Sequence, residues 1–244
     1  MDREKFLLLL DQEWTPLNLG GFIALFRSTE NIIKDGADRV SEWGDKTGQG
    51  NHISQATDSK KLVWTPNQLN GYPALIGDGT DDWMQRAAFT GGAIAQPNTT
   101  YAIIIGQQDG NEYRVSLDGI SDGFTNGAFI GGLADPVGTW SMYAGLLERR
   151  HPTWVLDEVN YQLVIQLFND ASSWMWFNNE AKWQPPASPG ADPMNGINLF
   201  RWRNAESFIW KGGIVEFGIR HGGISDAEVE QIKNYARYRY GFGW

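Results

Sequence analysis

The sequence predicts an all-β sandwich of antiparallel sheets, flanked by a short N-terminal helix and closed by a C-terminal one. Three observations carry this. Apolar residues alternate with period two through much of residues 18–220. Turn-forming pairs punctuate those runs at Asn70-Gly71, Asp78-Gly79, Gly91-Gly92, Asp109-Gly110 and Gly131-Gly132. The chain also holds 29 Gly, 12 Trp, 12 Phe and 8 Tyr, which suits many tight turns around a flat aromatic core.

Taken in order, residues 2–13 read as a helix. Asp2 is the N-cap, Leu7 and Leu10 share one side with Phe6 and Leu9 beside them, and Pro16 ends it. Residues 1–17 would form an arm ahead of a domain over 18–244, packed on that domain's edge or docked on a neighbouring subunit. Thr99 to Ile105 is a β-branched strand. Tyr161 to Phe168 puts Tyr161, Leu163, Ile165 and Leu167 on one face. Asn169-Asp170 turns the chain, and Ser173 to Phe177 returns with Trp174 and Trp176 facing the same way, which makes a hairpin. Gly213 to Arg220 alternates, with Val215, Phe217 and Ile219 expected inward. The end carries the clearest local signal. Ser225 and Glu228 form a capping box, Ile224 and Val229 a hydrophobic staple, and Gly241 a stop, so residues 226–240 are a helix. It would cover a sheet edge or an end of the sandwich.

A net charge of −9 argues against nucleic acid, which needs clustered Lys and Arg. With no cysteine, disulfides, thiolate metal sites and Cys nucleophiles are excluded. The apolar run Phe6 to Leu10 is too short for a signal peptide or a membrane span.

Several segments then match a known pattern in order. Trp43-Gly44-Asp45-Lys46-Thr47-Gly48-Gln49-Gly50-Asn51 is followed by Gln55-Ala56-Thr57 and by Asn70-Gly71-Tyr72-Pro73-Ala74-Leu75. Gly77-Asp78-Gly79-Thr80-Asp81-Asp82, Phe177-Asn178-Asn179-Glu180 and Ile214 through Glu228 continue it. Together they resemble the concanavalin A-like lectin/glucanase superfamily in its laminin-G-like branch, common in bacterial surface and phage virion proteins. The resemblance implies a jelly roll of two curved antiparallel sheets. The residues also have local reasons: Gly48 and Gly50 permit positive φ, while Asp45 and Asn51 can bond back to backbone amides.

Glycosidases on such a fold need two carboxylates projecting from one strand face, and no segment has that spacing. Asp157 and Glu158 are adjacent and so point apart. His52, His151 and His221 lack zinc-type spacing. Calcium is the one cofactor the turns would suit, at Asp78, Asp81 and Asp82 or along Asp118 to Gly123. A glycan would need an exposed aromatic platform, for which Trp140, Tyr143, Trp154, Trp174, Trp176 and Trp183 are candidates. Trp174 and Trp176 share a face, so both lie in the core or both lie outside.

These readings, with the resemblance, lead to an expectation: a non-catalytic phage virion surface protein, made without a signal peptide. It would be a capsid decoration, head-fibre or tail-associated jelly roll. Its partners would be other virion proteins and itself in a homo-oligomer, with capacity for a cell-surface glycan and no nucleic acid or membrane. The alternatives are a carbohydrate-binding lectin-like module, on a bacterial surface or secreted, and a glycan hydrolase or lyase.

Overall fold

The computed structural model describes residues 14–107, 114–120, 138–202 and 208–244, and the backbone of 130–133. The expected helix over 2–13, and with it most of the arm, lies outside the described residues. So do Asp109-Gly110 and the Ser121–Gly123 part of the second acidic turn.

In chain order the strands are β1 (Phe22–Arg27), β2 (Ile32–Lys34), β3 (Val40–Trp43), β4 (Ile53–Ser54), β5 (Val63–Leu69), β6 (Tyr72–Asp78), β7 (Met84–Arg86) and β8 (Asn98–Gly106). There follow β9 (Arg114–Asp118), β10 (Ile130–Leu133), β11 (Thr139–Met142), β12 (Arg149–Val155), β13 (Gln162–Phe168), β14 (Trp174–Phe177), β15 (Ile197–Leu199) and β16 (Lys211–His221). Helix α1 (Asp226–Tyr240) closes the chain.

The strands form a seven-stranded sheet, β14-β13-β8-β16-β6-β5 with β1 added on β16, and a nine-stranded sheet, β12-β11-β10-β9-β15-β7-β4-β3-β2. The expected hairpin is β13 and β14, with Ile165 opposite Trp176 and Leu167 opposite Trp174. Edge strand β12 carries Pro152 and edge strand β2 ends on Lys34, residues that discourage pairing with another chain.

Between the sheets lies the main core. Phe26, Ile104, Val164, Phe217 and Ile219 come from the first sheet, and Trp43, Ile53, Met84, Leu117, Trp140, Ile197 and Leu199 from the second. Phe26 stacks on Phe217 at 4.5 Å, and Trp43 meets both rings at 5.5 Å across the interface. The architecture is thus a β-sandwich.

A second apolar layer lies on the outer side of the seven-stranded sheet. There Tyr101, Ile103, Tyr161, Leu163, Ile165 and Trp176 pack under Val229, Ile232, Tyr235, Ala236 and Tyr240 of α1. The helix is held by the devices read from the sequence: Ser225 accepts from the Glu228 amide, Glu228 answers to the Ser225 amide, and Gly241 takes the left-handed conformation. It covers a sheet face, however, rather than an edge or an end. That also settles Trp174 and Trp176. They point outward from the sandwich, yet Trp176 is buried beneath this layer.

One strand departs from simple alternation. A register shift between Ile214 and Glu216 puts Val215 with the outer layer while Phe217 and Ile219 face the inner core. Val215 is therefore not inward, as alternation alone would have it. The same shift turns Glu216 toward α1, where it is fully buried. Its carboxylate accepts from Tyr101 Oη at 2.5 Å, Tyr235 Oη at 2.7 Å, Tyr240 Oη at 2.6 Å and Arg27 Nε at 3.0 Å. Burial first, then the Glu216 charge, pushes all three tyrosines well above the usual range, so they remain donors. Gly218 makes room for this: a Cβ there would lie 2.5 Å from the Tyr101 ring.

Candidate functional site

The outer side of the nine-stranded sheet is built differently. Trp43, Ile53, Met84, Leu117, Ile197 and Leu199 point into the core, so the strand residues beside them point the other way. Those neighbours are Glu42, Ser54, Gln85, Asn198 and Asp118. They pair in one continuous row, Glu42 with Ser54, Ser54 with Gln85, Gln85 with Asn198 and Asn198 with Asp118. Five strands thus carry five polar side chains side by side, of which Glu42, Ser54 and Gln85 reach the surface while Asn198 and Asp118 are fully buried.

The middle of the row is fixed by hydrogen bonds. Asn198 Nδ2 donates to the Gly119 carbonyl at 2.6 Å, and the Gly119 amide donates to Asp118 Oδ1 at 2.8 Å. Arg201 Nε donates to Asn198 Oδ1 at 2.9 Å, and its guanidinium lies 3.5 Å from the centre of the Trp83 ring. A cation held over an indole, beside oriented amides, is a rigid polar arrangement.

An aromatic patch adjoins it. On β11, Trp140 and Met142 face the core, so Tyr143 falls on the outer side. It packs with Val115, Trp202 and Phe208 in a small cluster separate from the two main layers, with the Trp202 and Phe208 rings 5.0 Å apart. Tyr143 is buried, whereas Trp202 and Phe208 are half-buried. Partly exposed rings beside an amide, a hydroxyl and a carboxylate, here Gln85, Ser54 and Glu42, are the groups that stack on a sugar and orient its hydroxyls. Glu42 and Asp118 stand four strand spacings apart, about 19 Å. That is beyond the ~5–9.5 Å of a glycosidase carboxylate pair.

The residues singled out from the sequence scatter. Tyr143 belongs to this face. Trp140 is fully buried in the core and offers a sugar no surface. Trp154 is sandwiched between His151, 3.7 Å away and nearly parallel, and Phe177 at 5.5 Å. Trp174 is half-buried on the α1 side with Lys182 Nζ 4.6 Å from its ring centre, and Trp183 meets His151 edge-on at 5.2 Å. Glu42, Ser54, Gln85, Asn198 and Arg201 were missed. Their signal was a polar residue next to each core residue of a strand, which is also the signature of any solvated sheet face.

Asp78, Asp81 and Asp82 do come together. Their carboxylates each offer an oxygen within 4.8 Å of the others, and these are the residues that could hold a hard cation. They also serve the turn: Asp78 Oδ1 accepts from the Thr80 amide at 2.7 Å and Asp82 Oδ2 from the Asp78 amide at 3.1 Å. Burial, then the Asp78 charge, raises Asp82 to about 6. The Asp45 loop is structural in the same way. Its carboxylate takes the amides of Leu25, Thr47 and Asn51 and the Thr47 hydroxyl, and Gly48 and Gly50 have positive φ.

No protein-family model matches the sequence, and no curated protein matches it. Solved structures do share the fold. One is an arabinofuranosidase complexed with arabinofuranosyl-alpha-1,2-xylobiose, with a TM-score of 0.68 and 11% identity over 90% of this chain and 63% of that one. Another is domain 4 of AbnA, a GH43 extracellular arabinanase from Geobacillus stearothermophilus, in complex with arabinotriose, with a TM-score of 0.56 and 11% identity over 88% of this chain and 98% of that one. A third is Trypanosoma rangeli sialidase with the inhibitor DANA, with a TM-score of 0.58 and 10% identity over 88% of this chain and 33% of that one. The chain therefore spans less than two thirds of the arabinofuranosidase and about a third of the sialidase. At such identities the likeness shows the fold. It nonetheless corrects the expectation of a non-catalytic virion protein. These structural neighbours belong to carbohydrate-active proteins, which favours the carbohydrate-binding alternative and removes the ground for excluding an enzyme.

Proposed function

We propose that this chain is a carbohydrate-recognition domain of a carbohydrate-active protein. It is a concanavalin A-like jelly roll that binds oligosaccharide on the outer side of its nine-stranded sheet. The observation that carries the reading is the polar row Glu42–Ser54–Gln85–Asn198–Asp118 beside the Tyr143–Trp202–Phe208 patch. The members of the row that reach the surface are Glu42, Ser54 and Gln85, with Asn198 and Arg201 buried behind them as the network that fixes the row. The neighbouring arabinanase domain, nearly all of which is covered, was solved with arabinotriose, so short arabino- and xylo-oligosaccharides are the first probes.

The test is titration calorimetry of the purified chain with that panel, after a glycan array. Gln85→Ala and Trp202→Ala should each weaken binding about tenfold, the equivalent of about 1.4 kcal/mol, while leaving the unfolding transition in place. Silence on the array, or affinity unchanged in both variants, would overturn the reading. Assaying reducing-sugar release on every bound glycan shows whether recognition is coupled to turnover.

A further inference from the structure

We propose that ordered water molecules bind inside the sandwich, along a polar seam formed by Gln162, Gln166, Thr100 and Trp140. On β13 the odd-numbered residues face α1, so Gln162 and Gln166 point between the sheets with Val164 and Phe168. Thr100 on β8 is the direct cross-strand partner of Gln166 and faces the same interior. Gln166 reaches across that interior: its Nε2 donates to the Ser141 carbonyl of the opposite sheet at 2.8 Å. Gln162 Nε2 likewise reaches the Val155 carbonyl at 3.4 Å. Each glutamine therefore spends its donor on the facing sheet and leaves its carbonyl in the gap.

Those carbonyls, Gln162 Oε1 and Gln166 Oε1, are buried without a protein partner among the described residues, as are Thr100 Oγ1 and Trp140 Nε1. Trp140 packs on Phe177 at 6.1 Å, and Phe177 pairs with Val164, the residue midway between the two glutamines. A donor from one sheet thus faces acceptors and a hydroxyl from the other. Buried polar atoms left bare cost about as much as a lost hydrogen bond. A buried water typically makes about three hydrogen bonds to such groups. The Gln166–Thr100 pair suits one: directly opposed side chains on neighbouring strands are within reach of each other, and one water joins two acceptor or hydroxyl oxygens separated by up to about 5.6 Å through two hydrogen bonds of about 2.8 Å. The water donates to Gln166 Oε1 and accepts the Thr100 proton.

Thr100→Val tests this by sign. With water in the seam, the variant strips it of a partner, and the melting temperature should fall by about 2–4 °C. A dry seam would instead gain from losing a bare hydroxyl, and the melting temperature would rise. A high-resolution crystal structure of the unaltered protein gives a second reading. Solvent density within hydrogen-bonding distance of Gln166 Oε1 and Thr100 Oγ1 is expected. Either a rise in melting temperature or a seam without that density overturns the proposal.

Discussion

The outer faces of the two sheets resolve one physical problem in opposite ways. A strand buried on one side must still do something with its other side. On the seven-stranded sheet that side is apolar and α1 lies over it, giving a third layer that contains a buried carboxylate. On the nine-stranded sheet it is a polar row with an aromatic patch, and among the described residues no helix covers it. On the proposed function, the difference separates stability from recognition. Substitutions on the first face should act on folding, and substitutions on the second on binding.

Glu216→Ala should break the covered face with the largest effect. It leaves Arg27 and three tyrosine hydroxyls buried without their common acceptor. Removing one partner of a buried ion pair costs about 3–5 kcal/mol. Chemical denaturation should show a loss of that size for Glu216→Ala, whereas Gln85→Ala on the open face should stay within about 0.5 kcal/mol of the parent. Equal losses would dissolve the contrast.

Much of the covered face was legible in the sequence, and little of the open one. Helix α1 could be read because caps and staples are local: Ser225, Glu228, Val229 and Gly241 sit within one stretch and each has one job. The β13–β14 hairpin was legible for the same reason, since two short strands and a turn fix their own pairing. What escaped depends on distant partners. Val215 changed sides because of a shift against β8, over a hundred residues earlier in the chain. The polar row joins β3, β4, β7, β15 and β9, and nothing near Gln85 announces Asn198. Aromatic content was a poor guide because a tryptophan fills a core as well as it stacks on a sugar: Trp140 is fully buried, whereas Trp202 stays half-buried in the outer patch.

Asp82 immediately precedes Trp83, the ring under Arg201, and gives the comparison a pH signature. Its carboxyl is raised from an ordinary value near 3.8 to about 6, so the folded state holds the proton more tightly than the unfolded chain. The stability this contributes is fully present below pH 3.8 and is lost as pH rises through about 6. Asp82→Asn keeps an acceptor for the Asp78 amide and removes the titration. It should flatten the fall of melting temperature across that window. An unaltered pH profile would mean that burial and the Asp78 charge do not govern this carboxyl.

Ser225→Ala should give the smallest effect and the sharpest separation. The hydroxyl accepts from the Glu228 amide at the first turn of α1, and an N-cap lost to alanine costs about 1 kcal/mol. The helix should remain seated, because its position is set by Val229, Ile232 and Ala236 against the sheet and by Tyr235 and Tyr240 on Glu216. Its tilt could reach the open face only through two sheets whose planes pack about 10 Å apart. Denaturation should therefore register the lost cap, while the affinity for any bound oligosaccharide stays unchanged. An affinity that weakened along with stability would mean the two faces are coupled through the core, and the division of labour between them would have to be given up.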